Sequence, residues 1–258
     1  MIESVVTTEA EPLIVLWHEV FGDPPALAAR FLALLPAFGC GFAAVEGGEL
    51  LGAAYWLDGL ELAGEKCGYL YAVAVRPEAR GRGLGATLSR ACFEEGKARG
   101  AVYRCTVPAE PSLFGWYARI LGVRPALYRQ SRELAAEASL PVLPIPPELY
   151  AARREALLGP APHLRCGAEA MAYEAENCRC FGGDLYAVGD GIAAAAPEAG
   201  LALVREAIGP EPERIAAAVA AHLGCERARL LRCADEGTPF LASDRPFPPG
   251  TVWNLAFD

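Results

Sequence analysis

Apolar residues first recur at helical spacing. Leu13, Leu16, Trp17 and Val20 mark one helix within residues 10–37, and Leu27, Phe31, Leu34 and Leu35 mark a second. Gly22, Asp23, Pro24 and Pro25 separate them; Asp23 is placed to cap the second helix, and Pro36 is expected to end it. The period then shortens to two. Phe42 to Val45 and Leu50 to Leu57 flank Gly47-Gly48, which predicts a β-hairpin over 41–57. Residues 68–75, Gly-Tyr-Leu-Tyr-Ala-Val-Ala-Val, are apolar on both faces and predict a central strand. A loop with Pro77 and three glycines follows. A helix over 84–99 with Leu84, Leu88, Ala91 and Cys92 inward comes next, then a strand over 101–107, a helix over 111–121 and a strand over 126–133.

The pattern breaks at residues 135–147, where Pro141, Pro144, Pro146 and Pro147 predict a stiff connector between a domain at 1–134 and a second at 148–258. The second half repeats the first in outline. Asp184 to Val188, Gly189-Asp190-Gly191 and Ile192 to Ala196 answer the hairpin, Leu201 to Ala207 the central strand, Glu213 to Leu223 the helix, and Ala228 to Cys233 the next strand. Thr251 to Phe257 is expected to close the sheet. Order and spacing match better than residue identity, so the duplication is a matter of pattern.

Composition narrows the function classes. The 258 residues are 53% hydrophobic and carry a formal charge of −9. That balance disfavours a nucleic-acid surface and suits a cationic substrate. Glu3, Glu9 and Glu11 occupy the place of a basic leader, and no apolar run is long enough for a membrane span. The nine cysteines are scattered; Cys178 and Cys180 form C-x-C without a second pair, so neither a zinc site nor a disulfide framework is expected. Together these point to a reducing cytoplasm.

The chemically informative segment is Val73-Ala74-Val75-Arg76-Pro77-Glu78-Ala79-Arg80-Gly81-Arg82-Gly83-Leu84-Gly85-Ala86. A buried strand ends, a short loop turns, and a helix starts inside the glycine run. Glycines let the backbone approach a ligand, the N–H groups at a helix start converge on an anion, and Arg80 and Arg82 add charge. A Walker A loop would need Gly-Lys-Ser/Thr, which is absent. The Rossmann spacing is formally met by Gly81, Gly83 and Ala86, but five residues separate it from the strand end, and the first acid after the next strand, Glu110, lies too far on. The remaining pattern is R-x-x-G-x-G at Arg80, Gly83 and Gly85.

That pattern after Tyr-Ala-Val-Ala-Val-Arg-Pro resembles motif A of the GNAT (GCN5-related N-acetyltransferase) family. The two early helices, the Gly-Gly hairpin, the helix bearing Trp116-Tyr117 and the segment Leu121-Gly122-Val123 fall in the same order as in that family. The resemblance covers residues 1–134, and the second half looks like a degenerate copy. It implies an α/β fold with a mixed sheet, the acyl-CoA N-acyltransferase fold, in tandem GNAT modules. It also implies transfer of an acetyl group from acetyl-CoA to a primary amine by direct attack on the thioester, without a metal.

Under that resemblance Arg80, Gly81, Arg82, Gly83, Leu84, Gly85 and Ala86 would hold the CoA pyrophosphate, and backbone N–H groups of Val73, Ala74 and Val75 would polarise the acyl carbonyl. Tyr117 would protonate the departing thiolate. Tyr117 stands five residues before Gly122 where the family tyrosine stands four before, with Ala118 at the usual place; a helix bulge would restore the register. Glu110 and Asp258 are candidate bases, Trp17, His18, Phe21 and Asp23 candidate pocket residues, and Cys67 and Cys105 core thiols. The counterpart loop, Arg205 to Glu213, has two prolines and three glutamates and is not expected to take CoA. The acceptor would be a small-molecule or peptide amine, with no nucleic-acid or membrane partner, on a monomer or homodimer. A non-catalytic acyl-CoA sensor is the alternative.

Overall fold

The computed structural model describes residues 1–5 and 8–255, in two compact units. Unit 1 comprises residues up to Ala126 together with Pro239–Phe247; unit 2 comprises Leu127–Thr238 and the chain from Pro248 onward.

Unit 1 holds β1 (Ile2–Ser4), α1 (Ala10–Phe21), α2 (Pro25–Phe38), β2 (Gly39–Glu46), β3 (Glu49–Leu62), β4 (Glu65–Val75), α3 (Leu84–Ala98), β5 (Tyr103–Thr106) and α4 (Ser112–Leu121), and gains β13 (Thr238–Ser243) from late in the chain. The strand order is β1-β2-β3-β4-β5-β13. β2, β3 and β4 are antiparallel; β4 and β5 are parallel, joined by α3 as crossover helix. Gly47 and Gly48 both have positive φ (61° and 86°), the conformation a two-residue hairpin turn demands. One face of the sheet packs Trp56, Leu70, Leu88, Cys92, Phe93 and Tyr117. The α1–α2 side holds an aromatic cluster in which Phe31 lies 5.0 Å from Trp17 and 5.0 Å from Tyr55. The α3 layer sits close because the Trp56 ring occupies the space a Cβ would need at Gly68 and at Gly96.

Unit 2 has β6 (Arg124–Ala135), β7 (Val142–Pro144), α5 (Pro147–Leu158), β8 (Leu164–Cys166), α6 (Ala168–Cys180), β9 (Asp184–Val188), β10 (Gly191–Glu198), β11 (Leu201–Ile208), α7 (Pro212–His222) and β12 (Arg227–Ala234). The order β6-β12-β11-β10-β9-β7 repeats the unit 1 scheme. Two helices precede an antiparallel β9-β10-β11, and α7 crosses over to a parallel β12. The turn after the second hairpin strand is Ala-Gly in both units: Ala63-Gly64 (φ 52° and 81°) and Ala199-Gly200 (φ 47° and 84°). An alanine at positive φ is costly, so the shared turn is a likeness the hydropathy pattern did not carry.

The structure departs from several expectations. The boundary falls at Ala126/Leu127, inside β6, and β6 pairs with β12 in unit 2. Residues 135–147 belong to unit 2: Ala136 N donates to Glu226 O at 2.9 Å, Ile145 N donates to Leu185 O at 2.9 Å, and Val142–Pro144 pairs with β9. Proline is tolerated there because β7 ends the strand order and its missing N–H falls on an edge. α2 continues through Pro36 to Phe38, its last turn held by buried Leu35 and Phe38. Asp23 caps nothing; its carboxylate accepts from Trp17 Nε1 at 2.8 Å. Within 251–255 there is one isolated bridge, Val252 to His163, and no strand; Phe257 and Asp258 lie outside the described residues.

Candidate functional site

β4 positions the site. Its parallel ladder with β5 ends at Leu70↔Thr106, where β5 itself stops. From Tyr71 to Val75 no strand lies against that side of β4, and Tyr71, Ala72, Val73 and Val75 are only half-buried although the strand is internal to its sheet. On the β3 side the register jumps between Ala53↔Ala74 and Tyr55↔Tyr71, so Ala72 and Val73 face Ala54 alone. Ala72 sits at the bulge with φ 48°. Such a bulge bends the strand and re-aims its backbone groups, here beside the opening between β4 and β5.

The chain then turns through a short 3-10 segment, Pro77–Ala79, into the glycine run. Gly81 and Gly83 have φ 78° and 80°, and neither would place a Cβ within 4 Å of anything. Gly83 is the N-cap of α3 and no side chain caps the helix. The N–H groups of Leu84, Gly85 and Ala86 therefore have no intrahelical acceptor, and the helix dipole adds positive potential there. Arg80 Nε donates to Val75 O at 3.2 Å. Arg82 Nη2 meets Glu46 Oε2 at 2.7 Å, and this contact holds the Glu46 carboxyl below its usual range. Arg76 fixes the strand end, donating to Leu50 O at 2.8 Å and to Glu19 of α1 at 3.0 Å. Glycine backbone, uncapped N–H groups and two arginines fit a pyrophosphate.

Tyr117 is buried on α4, an unbroken α-helix; the bulge that would shift its register is absent, and Ala118 is exposed. The Tyr117 ring stacks edge-on against Trp116 with centroids 4.7 Å apart. Burial pushes its hydroxyl up to about 12, opposed by a hydrogen bond to Thr106. Thr106 Oγ1 in turn donates to Leu70 O at 3.1 Å. Tyr117, Thr106 and Leu70 thus meet where β4 and β5 part.

The remaining candidates are dispersed. Glu110 is exposed and accepts from Ser112 Oγ at 3.2 Å, beside the start of α4. Trp17 is buried in the aromatic cluster, Phe21 is exposed, and His18 Nδ1 lies 2.8 Å from Asp23 O. Cys105 Sγ donates to Gly68 O at 3.2 Å and contacts Cys67; burial raises the Cys105 thiol well above its usual value. Among the described residues no group of three or more His, Cys, Asp or Glu could hold a metal, and no helix is long and apolar enough to cross a membrane.

Unit 2 repeats the strand opening and fills it. The β11–β12 ladder ends at Val204↔Leu230, and the β10–β11 register then shifts so that Arg205 is the extra residue. The bulge lets consecutive side chains reach the α5–α6 layer. Arg205 lies 3.6 Å from Glu174, while buried Glu206 accepts from Tyr150 Oη at 3.0 Å and from Arg154 Nε at 3.0 and 3.2 Å. At the start of α7 the Glu213 carboxyl is held low by its own backbone N–H and by Arg232 and Arg132, whose guanidinium nitrogens lie 2.9 and 3.2 Å away.

Residues 7–123 match the Acetyltransferase (GNAT) family. No curated protein matches the chain. Among solved structures, a GCN5-related N-acetyltransferase from Kribbella flavida is similar with a TM-score of 0.64 at 19% identity, covering 94% of this chain and 70% of that one. One from Anabaena variabilis has a TM-score of 0.65 at 14% identity, covering 94% and 72%. Eis1 from Mycobacterium abscessus has a TM-score of 0.61 at 15% identity, covering 90% and 70%. At these identities the likeness is one of fold, and it spans both units. The chain therefore carries a GNAT-family acetyltransferase domain at residues 7–123, built on the acyl-CoA N-acyltransferase fold.

Proposed function

We propose that the protein is an acetyl-CoA-dependent N-acetyltransferase in which a primary amine attacks the thioester directly. The observation that carries this reading is the succession of an opened β4–β5 ladder, a bulged strand end and an uncapped helix start reached through two left-handed glycines. The N–H groups of Leu84, Gly85 and Ala86, with Gly81, Gly83 and the side chains of Arg80 and Arg82, would hold the pyrophosphate. The backbone of Val73, Ala74 and Val75 would border the thioester arm and polarise its carbonyl. As the amine nitrogen bonds to the acyl carbon, the carbon–sulfur bond breaks, Tyr117 gives its proton to the sulfur, and the proton shed by the nitrogen restores the phenol. Tyr117 is protonated at neutral pH, as a general acid must be.

Unit 2 is a degenerate GNAT module that takes no CoA, because Glu213 occupies the arginines beside its helix start and Arg205 and Glu206 fill the space beside its bulge. The net charge of −9 suits a cationic amine acceptor, and a cytoplasmic setting suits nine free cysteines. Calorimetric titration with acetyl-CoA, followed by thiol release with a panel of primary amines, tests the reading. Binding of one equivalent and amine-dependent release of CoA is the expected result; no binding would overturn it.

A further inference from the structure

We infer that the acceptor is a diamine, and that Asp23 and Phe21 hold its second, non-reacting ammonium group. The inference rests on the acetyltransferase reading and gives it a substrate class.

The end of α1 presents one carboxylate in a fixed orientation. Gly22 closes the helix at φ 78°, its N–H donating to His18 O at 2.9 Å, and this left-handed turn brings Asp23 back against the helix. Two consecutive residues then grip it. His18 Nδ1 donates to the Asp23 backbone oxygen at 2.8 Å, and Trp17 Nε1 donates to carboxylate Oδ2 at 2.8 Å. Trp17 is 2% exposed, and its one N–H is committed to this oxygen. The carboxylate caps no helix. Asp23 is half-buried, and among the described residues no donor meets its other oxygen, Oδ1. Glu19, one turn earlier, is committed to Arg76 at 3.0 Å, whereas Asp23 has no cationic partner among the described residues.

Aromatic rings lie beside that carboxylate. The Trp17 ring meets Phe21 edge-on at 5.5 Å and Tyr71 at 5.8 Å. Trp17 is sealed, but Phe21 is 40% exposed and Tyr71 is half-buried. Tyr71 is the first residue of β4 beyond the end of the β5 ladder, two before Val73. Contacts across a single indole thus lead from the Asp23 carboxylate to the opening where the thioester arm would lie. A carboxylate and an exposed aromatic ring together suit an ammonium ion, one through a charge-assisted hydrogen bond and the other through a cation–π contact.

The separation has a chemical reason. The attacking amine must be neutral, and a carboxylate touching it would hold it as an ammonium ion. Placed an indole away, Asp23 leaves the reacting nitrogen alone and binds the far one, which stays charged. A formal charge of −9 on the chain draws a dication toward it.

The test uses the full chain, acetyl-CoA and two probes of matched length, 1,6-diaminohexane and 6-amino-1-hexanol, with thiol release as readout. The probes share the reacting amine and differ in charge at the far end. Beyond the statistical factor from its equal ends, the diamine should be preferred about tenfold in kcat/KM, chiefly through KM, as expected for one half-exposed ion pair and one cation–π contact. That preference should shrink in 1 M salt. Asp23→Asn keeps an oxygen for Trp17 and should cut the preference to within about twofold by raising KM for the diamine. Phe21→Leu should cut it about two- to threefold. A purely structural role for Asp23 would lower both probes alike.

Equal use of the two probes by the wild type, an Asp23→Asn variant that keeps the diamine preference, or an equal loss for both probes would each overturn the inference while the transferase stands. So would thiol release with other primary amines but with neither probe. No thiol release with any primary amine overturns the transferase reading and this inference with it.

Discussion

Replacing Gly85 by aspartate separates ligand binding from folding at the candidate pyrophosphate site. Gly85 is the second residue of α3, and a Cβ there would meet only the Trp116 ring at 3.6 and 3.8 Å and Val75 Cγ2 at 3.7 Å, all ordinary contacts. Its φ is not left-handed, unlike that of Gly83 at 80°, so the substitution carries no backbone strain. An acidic residue in the first turn of a helix adds about 0.3–1 kcal/mol, and replacing glycine inside a helix adds a few tenths more. Stability should rise by about 0.5–1 kcal/mol, or roughly 1–4 °C in Tm for a chain of this size.

Binding should move the other way. A carboxylate about 5 Å from a doubly charged pyrophosphate costs about 1.7 kcal/mol at the dielectric of water and about 7 kcal/mol at an effective dielectric of 20. Affinity for acetyl-CoA should therefore fall at least about twentyfold by calorimetry. Gly85→Ala, which adds the carbon without the charge, should stay within a few-fold of wild type. A folded Gly85→Asp variant that binds acetyl-CoA within threefold of wild type would refute the site.

Three further outcomes follow from other contacts. Glu46→Gln should tighten acetyl-CoA binding about two- to fivefold at low salt and not in 1 M salt, because Arg82 is released from its carboxylate in a screened, exposed setting; unchanged affinity at low salt would show that Arg82 takes no part. Gly96→Ala should lower stability by about 3 kcal/mol in denaturant titration, since its Cβ would overlap the fully buried Trp56 ring; a loss under 1 kcal/mol would contradict the packing. Arg154→Met should cost about 3–5 kcal/mol by leaving Glu206 buried without its cation, and the double change Arg154→Met/Glu206→Leu should cost less than either single change. Additive losses would show that the pair is not coupled.

Much of this architecture was legible before any coordinates. Periodicity placed α1 through α4, the Gly47-Gly48 hairpin, the central strand and the repeat, because each depends on local alternation that a buried face enforces. The loop from Arg80 to Ala86 was legible because left-handed turns and an uncapped helix start need glycine at fixed spacing. What stayed hidden depended on partners far along the chain. Whether Pro141 and Pro144 sit in a connector or an edge strand is decided by β9, more than 40 residues later. The strand β13 drew no prediction, and its partner β5 lies in the other half of the sequence. α5 and α6 were missed because their inner faces include Arg154 and Glu174, which break the apolar stripe and are tolerated where Glu206 and Arg205 meet them.

The late arrival of β13 sets a timetable for synthesis. β5 is complete at Thr106, but the strand that covers its open edge begins at Thr238, and Arg104 of β5 is gripped by Asp244 through contacts of 2.8 and 2.7 Å. At about 5–20 residues per second, a ribosome spends on the order of ten seconds or more on the intervening chain. Throughout that interval the nascent polypeptide carries β5 with one row of backbone groups unpaired, a template for any stray strand. That edge of β5 stays unpaired until its last strand arrives, and a stop codon anywhere between those two strands would make the interval permanent.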